Sequence, residues 1–152
     1  MANFAQGQFT PKNPAKYIGK RIPKYRSGWE LAFMNLLDED KRIQYWASEA
    51  ISITYRHPVT GKATQYIPDF FVVYQNKKGQ NVAEIVEIKP KKQSLIESKT
   101  ASARDRIIVA INHAKWAAAK AYCASKGYTF RVVTEEELFH TGRRTGKSAR
   151  RK

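Results

Sequence analysis

The stretch Val82-Ala83-Glu84-Ile85-Val86-Glu87-Ile88-Lys89-Pro90, read with Tyr66-Ile67-Pro68-Asp69-Phe70 upstream of it, decides what kind of domain this chain forms. Val82–Lys89 is rich in β-branched residues and predicts the longest strand. Pro90 stops it, because proline has no N–H to offer a ladder. Side chains alternate along a strand, so Glu87 and Lys89 point to one face. Phe70–Tyr74 predicts the preceding strand, and Asn76–Gln80, with Gly79, the hairpin loop between the two. In such an antiparallel hairpin Asp69, just ahead of its strand, is expected to come close to Glu87.

Two carboxylates that converge repel each other unless a cation lies between them. Oxygen ligands with room for water suit magnesium, with manganese as the alternative. An ion held there can polarise a phosphodiester oxygen and acidify a water, and Lys89 can orient that water or offset the charge that develops. The blander reading is that Glu-x-Lys lies on a solvated sheet face and Pro-Asp in a turn. Spacing alone leaves both readings open.

Charge weighs on the choice. The chain has 152 residues and a formal net charge of +15, from 28 basic and 13 acidic residues. Residues 1–26 hold Lys12, Lys16, Lys20, Arg21, Lys24 and Arg26 without an acid, and residues 141–152 hold Arg143, Arg144, Lys147, Arg150, Arg151 and Lys152 without one. Subtracting these twelve leaves +3 for residues 27–140. The sequence thus reads as a nearly balanced globule (27–140) between a basic N-terminal arm (1–26) and a basic C-terminal tail (141–152). Such arms bind phosphate chains by releasing counterions and are expected to be mobile until they do. An anionic membrane surface is the weaker competitor, since neither arm carries a long amphipathic stripe. Phe4, Phe9, Tyr17 and Tyr25 are interspersed in the first arm, either to stack on bases or, the favoured reading, to pin the arm to the globule.

The length suits one domain able to bury a core without disulfides. Cys123 is the one cysteine, which excludes an intrachain disulfide and Cys-rich zinc sites; its Ala-rich surroundings place it in the core. His57, His113 and His140 are too scattered to form a ligand set and are expected in loops or on the surface. No apolar run reaches membrane-spanning length and no signal-peptide pattern opens the chain, so it is read as soluble and cytoplasmic.

Around the central hairpin the order is helix, strands, helix, strand. Ser27 and Glu30 form an S-x-x-E capping box for a first helix whose Trp29, Phe33, Leu36 and Leu37 share a face; Asp38, Glu39 and Asp40 end it in an expected solvated turn. Ile43–Ala47, Ile51–Arg56 and Thr64–Ile67 read as strands, with a turn at His57–Lys62. Ala101–Lys126 predicts a long helix with an apolar face of Ile107, Ile108, Ile111, Ala114, Ala118, Ala121 and Tyr122, capped by Gly127. Tyr128–Val133 closes as a strand, and Thr134 with Glu137 repeats the capping pattern for a short last helix. The expected class is α/β.

Pro68-Asp69 followed by Glu87-Ile88-Lys89 resembles the PD-(D/E)xK nuclease superfamily. Tyr25-Arg26-Ser27-Gly28-Trp29-Glu30-Leu31, Tyr66-Ile67-Pro68-Asp69-Phe70 and Glu87-Ile88-Lys89-Pro90, with Gln93 beyond, resemble the head-completion nucleases of T-even-type tailed phages over nearly the whole chain. The same blocks are similar to the N-terminal endonuclease domain of TnsA-type transposition proteins. The resemblance implies a restriction-endonuclease-like core, a mixed central β-sheet flanked by helices. It implies Asp69 and Glu87 as metal ligands with the Ile88 carbonyl as a third, Lys89 as catalytic lysine, and Gln93 to position substrate or water. Glu30 matches an acid supplied by the first helix; it serves either the cap or the metal, and the metal is favoured because Trp29 and Phe33 already account for the buried face. Double-stranded DNA is the implied substrate, portal or neck proteins the implied partners, and no small-molecule cofactor is called for. The implied setting is the host cytoplasm during virion assembly, with the head–neck region of the virion as a further location.

Tyr25 and Arg26 are candidates to guide DNA toward Glu30; Lys20, Arg21 and Lys24, and Arg143, Arg144, Arg150 and Arg151 in the tail, are further candidates for DNA contact, and Lys91 and Lys92 after the motif strand either contact the phosphate backbone or are solvated. Arg104 and Arg106, early in the long helix, are either DNA contacts or solvated. No base-reading helix is evident, so little sequence specificity is expected. The rival readings are a non-catalytic protein that binds or plugs DNA ends, an RNA-binding module, and a transposon-end endonuclease dependent on sequence-specific partners.

Overall fold

Four strands make the central sheet, in the order β3-β6-β7-β8, and the computed structural model describes residues 6–90 and 102–137 around it. β3 (Ile43–Ser48), β6 (Phe70–Gln75) and β7 (Asn81–Ile88) are antiparallel neighbours. β8 (Thr129–Val133) runs parallel to β7 after a crossover through α2 (Ala103–Lys126), as a parallel connection requires. Two small hairpins accompany the sheet: β1 (Gly7–Gln8) with β2 (Lys24–Tyr25), and β4 (Ile53–Arg56) with β5 (Ala63–Tyr66). With α1 (Gly28–Glu39), this is a mixed α/β domain with helices flanking the sheet.

Alternation along β6 and β7 divides the core in two. Phe70, Val72, Val86 and Ile88 pack with Phe33, Met34 and Leu37 of α1. Ile85 and the partly buried Phe71 pack with Trp116, Ala119 and Cys123 of α2 and with Ile53, Tyr55 and Tyr66 of the β4–β5 hairpin. Turn chemistry fixes the register between them. Asn76 Oδ1 accepts from the N–H groups of Lys78 and Gln80, both at 2.9 Å, and Gly79 takes the left-handed conformation (φ +79°) that closes the β6–β7 turn. His57 ends β4 in the same way, its Nδ1 accepting from Val59 N–H and Thr60 N–H. This accounts for the residue as a turn cap.

Three expectations change here. First, residues 6–26 are not a free arm; they pack onto the globule. Phe9 is buried and meets Trp46 edge-on, with ring centroids 5.8 Å apart; Tyr17 meets the same indole at 4.7 Å. Ile18 N–H donates to the Trp46 carbonyl. Phe9, Tyr17 and Tyr25 thus pin the segment to the globule, the favoured reading, while Phe4 lies outside the described residues. Second, Asp38 is not in a solvated turn. It is 1 % exposed, and its carboxylate accepts from Lys12 N–H at 2.8 Å and Asn13 N–H at 3.1 Å. Lys16 Nζ donates to the carbonyls of Asp38 and Asp40, placing a cation at the carbonyl end of α1, where the helix dipole favours one. Hydrogen bonds to a charged acceptor contribute about 1.5–3 kcal/mol each, so Asp38 is a principal tie between the N-terminal segment and α1.

Third, the buried stripe of α2 is Val109, Asn112, Trp116, Ala119 and Cys123, while Ile107 is 47 % exposed and Ala121 lies on the exposed side. Ile111, Ala114, Ala118 and Tyr122 are partly buried beside it. The expected stripe was centred too far round the helix because Ile107 and Ile108 and the alanines outweighed one tryptophan. The caps are as expected or better: Gly127 is left-handed (φ +77°), and Ser102 accepts from Asp105 N–H at the start of α2. No helix among the described residues is long and apolar enough to cross a membrane. Lys91, Lys92, Gln93, His140, Arg143, Arg144, Arg150 and Arg151 lie outside the described residues.

Candidate active site

Antiparallel pairing of β6 with β7 puts Phe70 opposite Val86, so Asp69, one residue earlier, arrives at the level of Glu87. Asp69 Oδ2 accepts from Ile88 N–H at 2.8 Å, which ties the residue before β6 to the end of β7. The Asp69 carbonyl accepts from Glu49 N–H at 2.9 Å, tying it to the end of β3 as well. Glu87 is 5 % exposed and points to the α2 face. Its Oε1 accepts from the Tyr66 hydroxyl at 2.8 Å, and its Oε2 lies 3.7 Å from Lys89 Nζ. Lys89 continues past the end of β7, where its N–H donates to the Val133 carbonyl of β8. The same-face expectation for Glu87 and Lys89, and the approach of Asp69, are realised.

The electrostatics follow from that packing. Burial pushes the Asp69 carboxyl well above its ordinary range, the Glu87 carboxylate adds to the rise, and the Ile88 N–H offsets part of it. Burial also raises Glu87, opposed by Lys89, by the Tyr66 hydroxyl and by Lys115 of α2. Each acid of the pair is therefore harder to ionise than an isolated one, a condition that a cation between them relieves. The two carboxylates offer hard oxygens of the kind that suit a divalent ion with water completing its shell. Among the described residues no group of three His, Cys, Asp or Glu side chains forms a ready cage.

Glu30 stands at the edge of this site with its carboxylate in the helix cap. Ser27 Oγ accepts from Glu30 N–H at 3.2 Å, and Glu30 Oε1 accepts from Arg26 N–H at 2.9 Å. The box therefore closes one residue further back than the standard pattern, on Arg26 and not on Ser27. Glu30 is still near enough to add to the rise of Asp69. The Arg26 guanidinium pairs with Glu49, whose backbone is left-handed (φ +51°), a strained choice for a residue with a side chain. Lys20, Arg21 and Lys24 are exposed, and Tyr25 is half-buried against the core.

Sequence reasoning passed over three residues here. Tyr66, read as part of a strand and of a family-like block but given no role of its own, holds Glu87. Glu49 pairs Arg26 beside the acid pair. Lys115 extends from α2 with its ammonium over the rings of Tyr66 and Tyr55, 5.5 and 5.9 Å from their centroids. A correctly centred α2 stripe flags Lys115, because position 115 adjoins Asn112, Trp116 and Ala119. A cavity of ≈ 650 Å³ lies on the α1 face, lined among others by Phe33, Leu36, Val72, Glu84 and Arg131. Asp69, Glu87 and Lys89 are not part of its wall.

The profile of the TnsA-like endonuclease N-terminal family matches residues 40–135, a span that holds Asp69, Glu87 and Lys89. The head completion nuclease of Enterobacteria phage T4 is 35 % identical over 143 residues, covering 87 % of this chain and 92 % of that protein. The shared span takes in both strands of the acid hairpin, so the chain belongs to the TnsA-like endonuclease family and is a homologue of the phage head completion nuclease.

Proposed function

We propose that this chain is a metal-dependent deoxyribonuclease that processes the end of packaged DNA during head completion, before head and tail join. The observation that carries the reading is the acid pair, a buried Glu87 and a partly buried Asp69, with Lys89 Nζ 3.7 Å from Glu87. The name of the phage T4 relative supports the head-completion setting, during assembly in the host.

Asp69, Glu87 and the Ile88 carbonyl would hold the ion, magnesium or manganese, with Glu30 turning from its cap to join them. Bound there, the ion would supply positive charge to the phosphoryl oxygens and a more acidic water. Lys89, kept beside Glu87, places its ammonium where charge grows on the phosphoryl group. Tyr66 holds the Glu87 carboxylate in one orientation and favours its charged form. Gln93 positions water or substrate. Lys20, Arg21, Lys24, Tyr25, Arg26, Lys91, Lys92 and the four tail arginines hold the DNA backbone with little regard for sequence. Portal or neck proteins are the partners that bring the chain to the DNA end.

The test incubates supercoiled and linear DNA with the full chain in magnesium, manganese or chelator. Metal-dependent cleavage is expected, lost in Asp69→Ala and Lys89→Ala while DNA binding persists. Binding without cleavage of either DNA form, in any divalent ion, would leave a DNA-end plug as the function.

A further inference from the structure

Lys115 is a half-buried cation in the middle of α2. A mid-helix lysine ordinarily lays its stem on apolar surface and carries its charge out to water. This one keeps its ammonium against the faces of Tyr66 and Tyr55. The Tyr66 ring beneath it carries the hydroxyl that bonds Glu87, so the ammonium lies one side chain from the acid pair. Lys89 approaches the same carboxylate from the end of β7. Two elements far apart in sequence thus aim two ammonium groups at one acid pair. The lysines repel each other, and burial together with Lys89 makes Lys115 easier to deprotonate. The acid pair relieves some of that repulsion. A divalent ion occupying the carboxylates takes the relief away, and an anion shared by the two ammonium groups restores it.

We propose that Lys115 and Lys89 form a two-point phosphate clamp for the DNA strand, Lys89 at the phosphodiester to be cut and Lys115 at the phosphate beside it. This rests on the reading of the site as a DNA nuclease. It gives α2 a direct part in holding substrate. It also gives the β4–β5 hairpin one, through the Tyr55 and Tyr66 rings that hold the ammonium in place. The structural alternative is that the Lys115 stem only fills space between those rings.

Lys115→Met separates the two, because it keeps the stem and removes the charge. Full-length Lys115→Met, Lys115→Arg and Lys120→Met, the last a control at an exposed position of the same helix, are compared with wild type in two measurements. The first is kcat and KM on linear duplex DNA with magnesium. The second is binding of a short duplex across a salt series at a fixed calcium concentration in place of magnesium, so that the carboxylates are occupied. Lys115→Met is expected to lower kcat/KM about tenfold, as loss of one charge-assisted contact does, and to reduce the salt slope by roughly one. Lys115→Arg recovers most of both, and Lys120→Met changes neither. Equal kcat/KM and equal slopes for Lys115→Met and wild type overturn the clamp. Should Lys115→Met fail to fold by thermal melting, Lys115→Gln answers with the same readouts. If wild type cuts no DNA, the nuclease reading fails, and the salt series still decides whether Lys115 touches phosphate.

Discussion

Strand β7 buries two acids three residues apart, Glu84 on the α1 face and Glu87 on the α2 face, and the surroundings treat them oppositely. Glu84, 8 % exposed, meets Arg131 Nε at 3.2 Å and the Thr129 hydroxyl at 3.4 Å, both from β8, where parallel pairing sets Thr129 opposite Glu84. Glu87, 5 % exposed, meets a second acid, and its cation stands off at 3.7 Å. The first arrangement is closed: the buried charge has its partners within the sheet. The second is open, since burial raises both acids and the Glu87 charge presses on Asp69. Burial alone does not tell the two apart; what sets Glu87 apart from Glu84 is that it faces another acid, the arrangement expected of a functional site.

The sharpest way to break the comparison is to make the same substitution on each face. Glu87→Gln is expected to reduce kcat by about 10²–10³, the range seen when one electrostatic contributor to a transition state is lost. Glu84→Gln is expected to leave kcat of the folded protein within about twofold and to lower Tm by a few degrees, because it weakens an ion pair whose arginine is partly in water. Parallel cleavage assays and thermal melts read both. A Glu84→Gln protein that melts like wild type yet no longer cuts would show that the two faces are not distinct.

A smaller change sharpens the open side. Tyr66→Phe removes the hydroxyl that helps Glu87 ionise and leaves the ring under Lys115. The Glu87 carboxyl then rises further, so the acid limb of the pH–rate profile moves to higher pH. Cleavage at neutral pH is expected to fall about tenfold, the equivalent of one hydrogen bond to a charged group, and to recover as pH is raised. A uniform loss at every pH would mean that Tyr66 serves only packing.

The sequence made the hairpin readable because three local signals agree there: alternation along β7, a glycine in the turn and a proline as stop. Register then carried Asp69 to Glu87 without any tertiary information. What it hid depends on partners distant in the chain. Asp38 looked solvated because its donors, Lys12 and Asn13, come from another segment. Phe9 was legible as a pin, but not its partner, Trp46, which lies in another segment. Lys115 was obscured by a local error, since the isoleucines near the start of α2 pulled the expected stripe away from Trp116. Glu30 was legible as a cap, but the cap closes on Arg26, which only the path of the preceding residues decides.

The smallest expected effect tests the strain on the open side directly. Asp69 has a folded pKa above its unfolded value, with burial as the first cause and Glu87 as the second. Such a carboxyl binds its proton more tightly in the folded state. Its contribution to stability is present below the unfolded value, near pH ~4, and is lost as pH rises through the raised folded value. Without metal, this group therefore makes a less favourable contribution to stability at pH 7 than at pH 4. Asp69→Asn keeps an oxygen for the Ile88 N–H and removes the charge. It is expected to raise Tm at neutral pH by roughly 3 °C, the shift that ~1 kcal/mol produces in a domain of this size, and to flatten the pH dependence. On the proposed reading magnesium is expected to raise the wild-type Tm in the same direction and to have little effect on Asp69→Asn. If chelated Asp69→Asn melts no higher than chelated wild type across that pH range, the acid pair carries no strain, and Glu87 differs from Glu84 in neighbours but not in consequence.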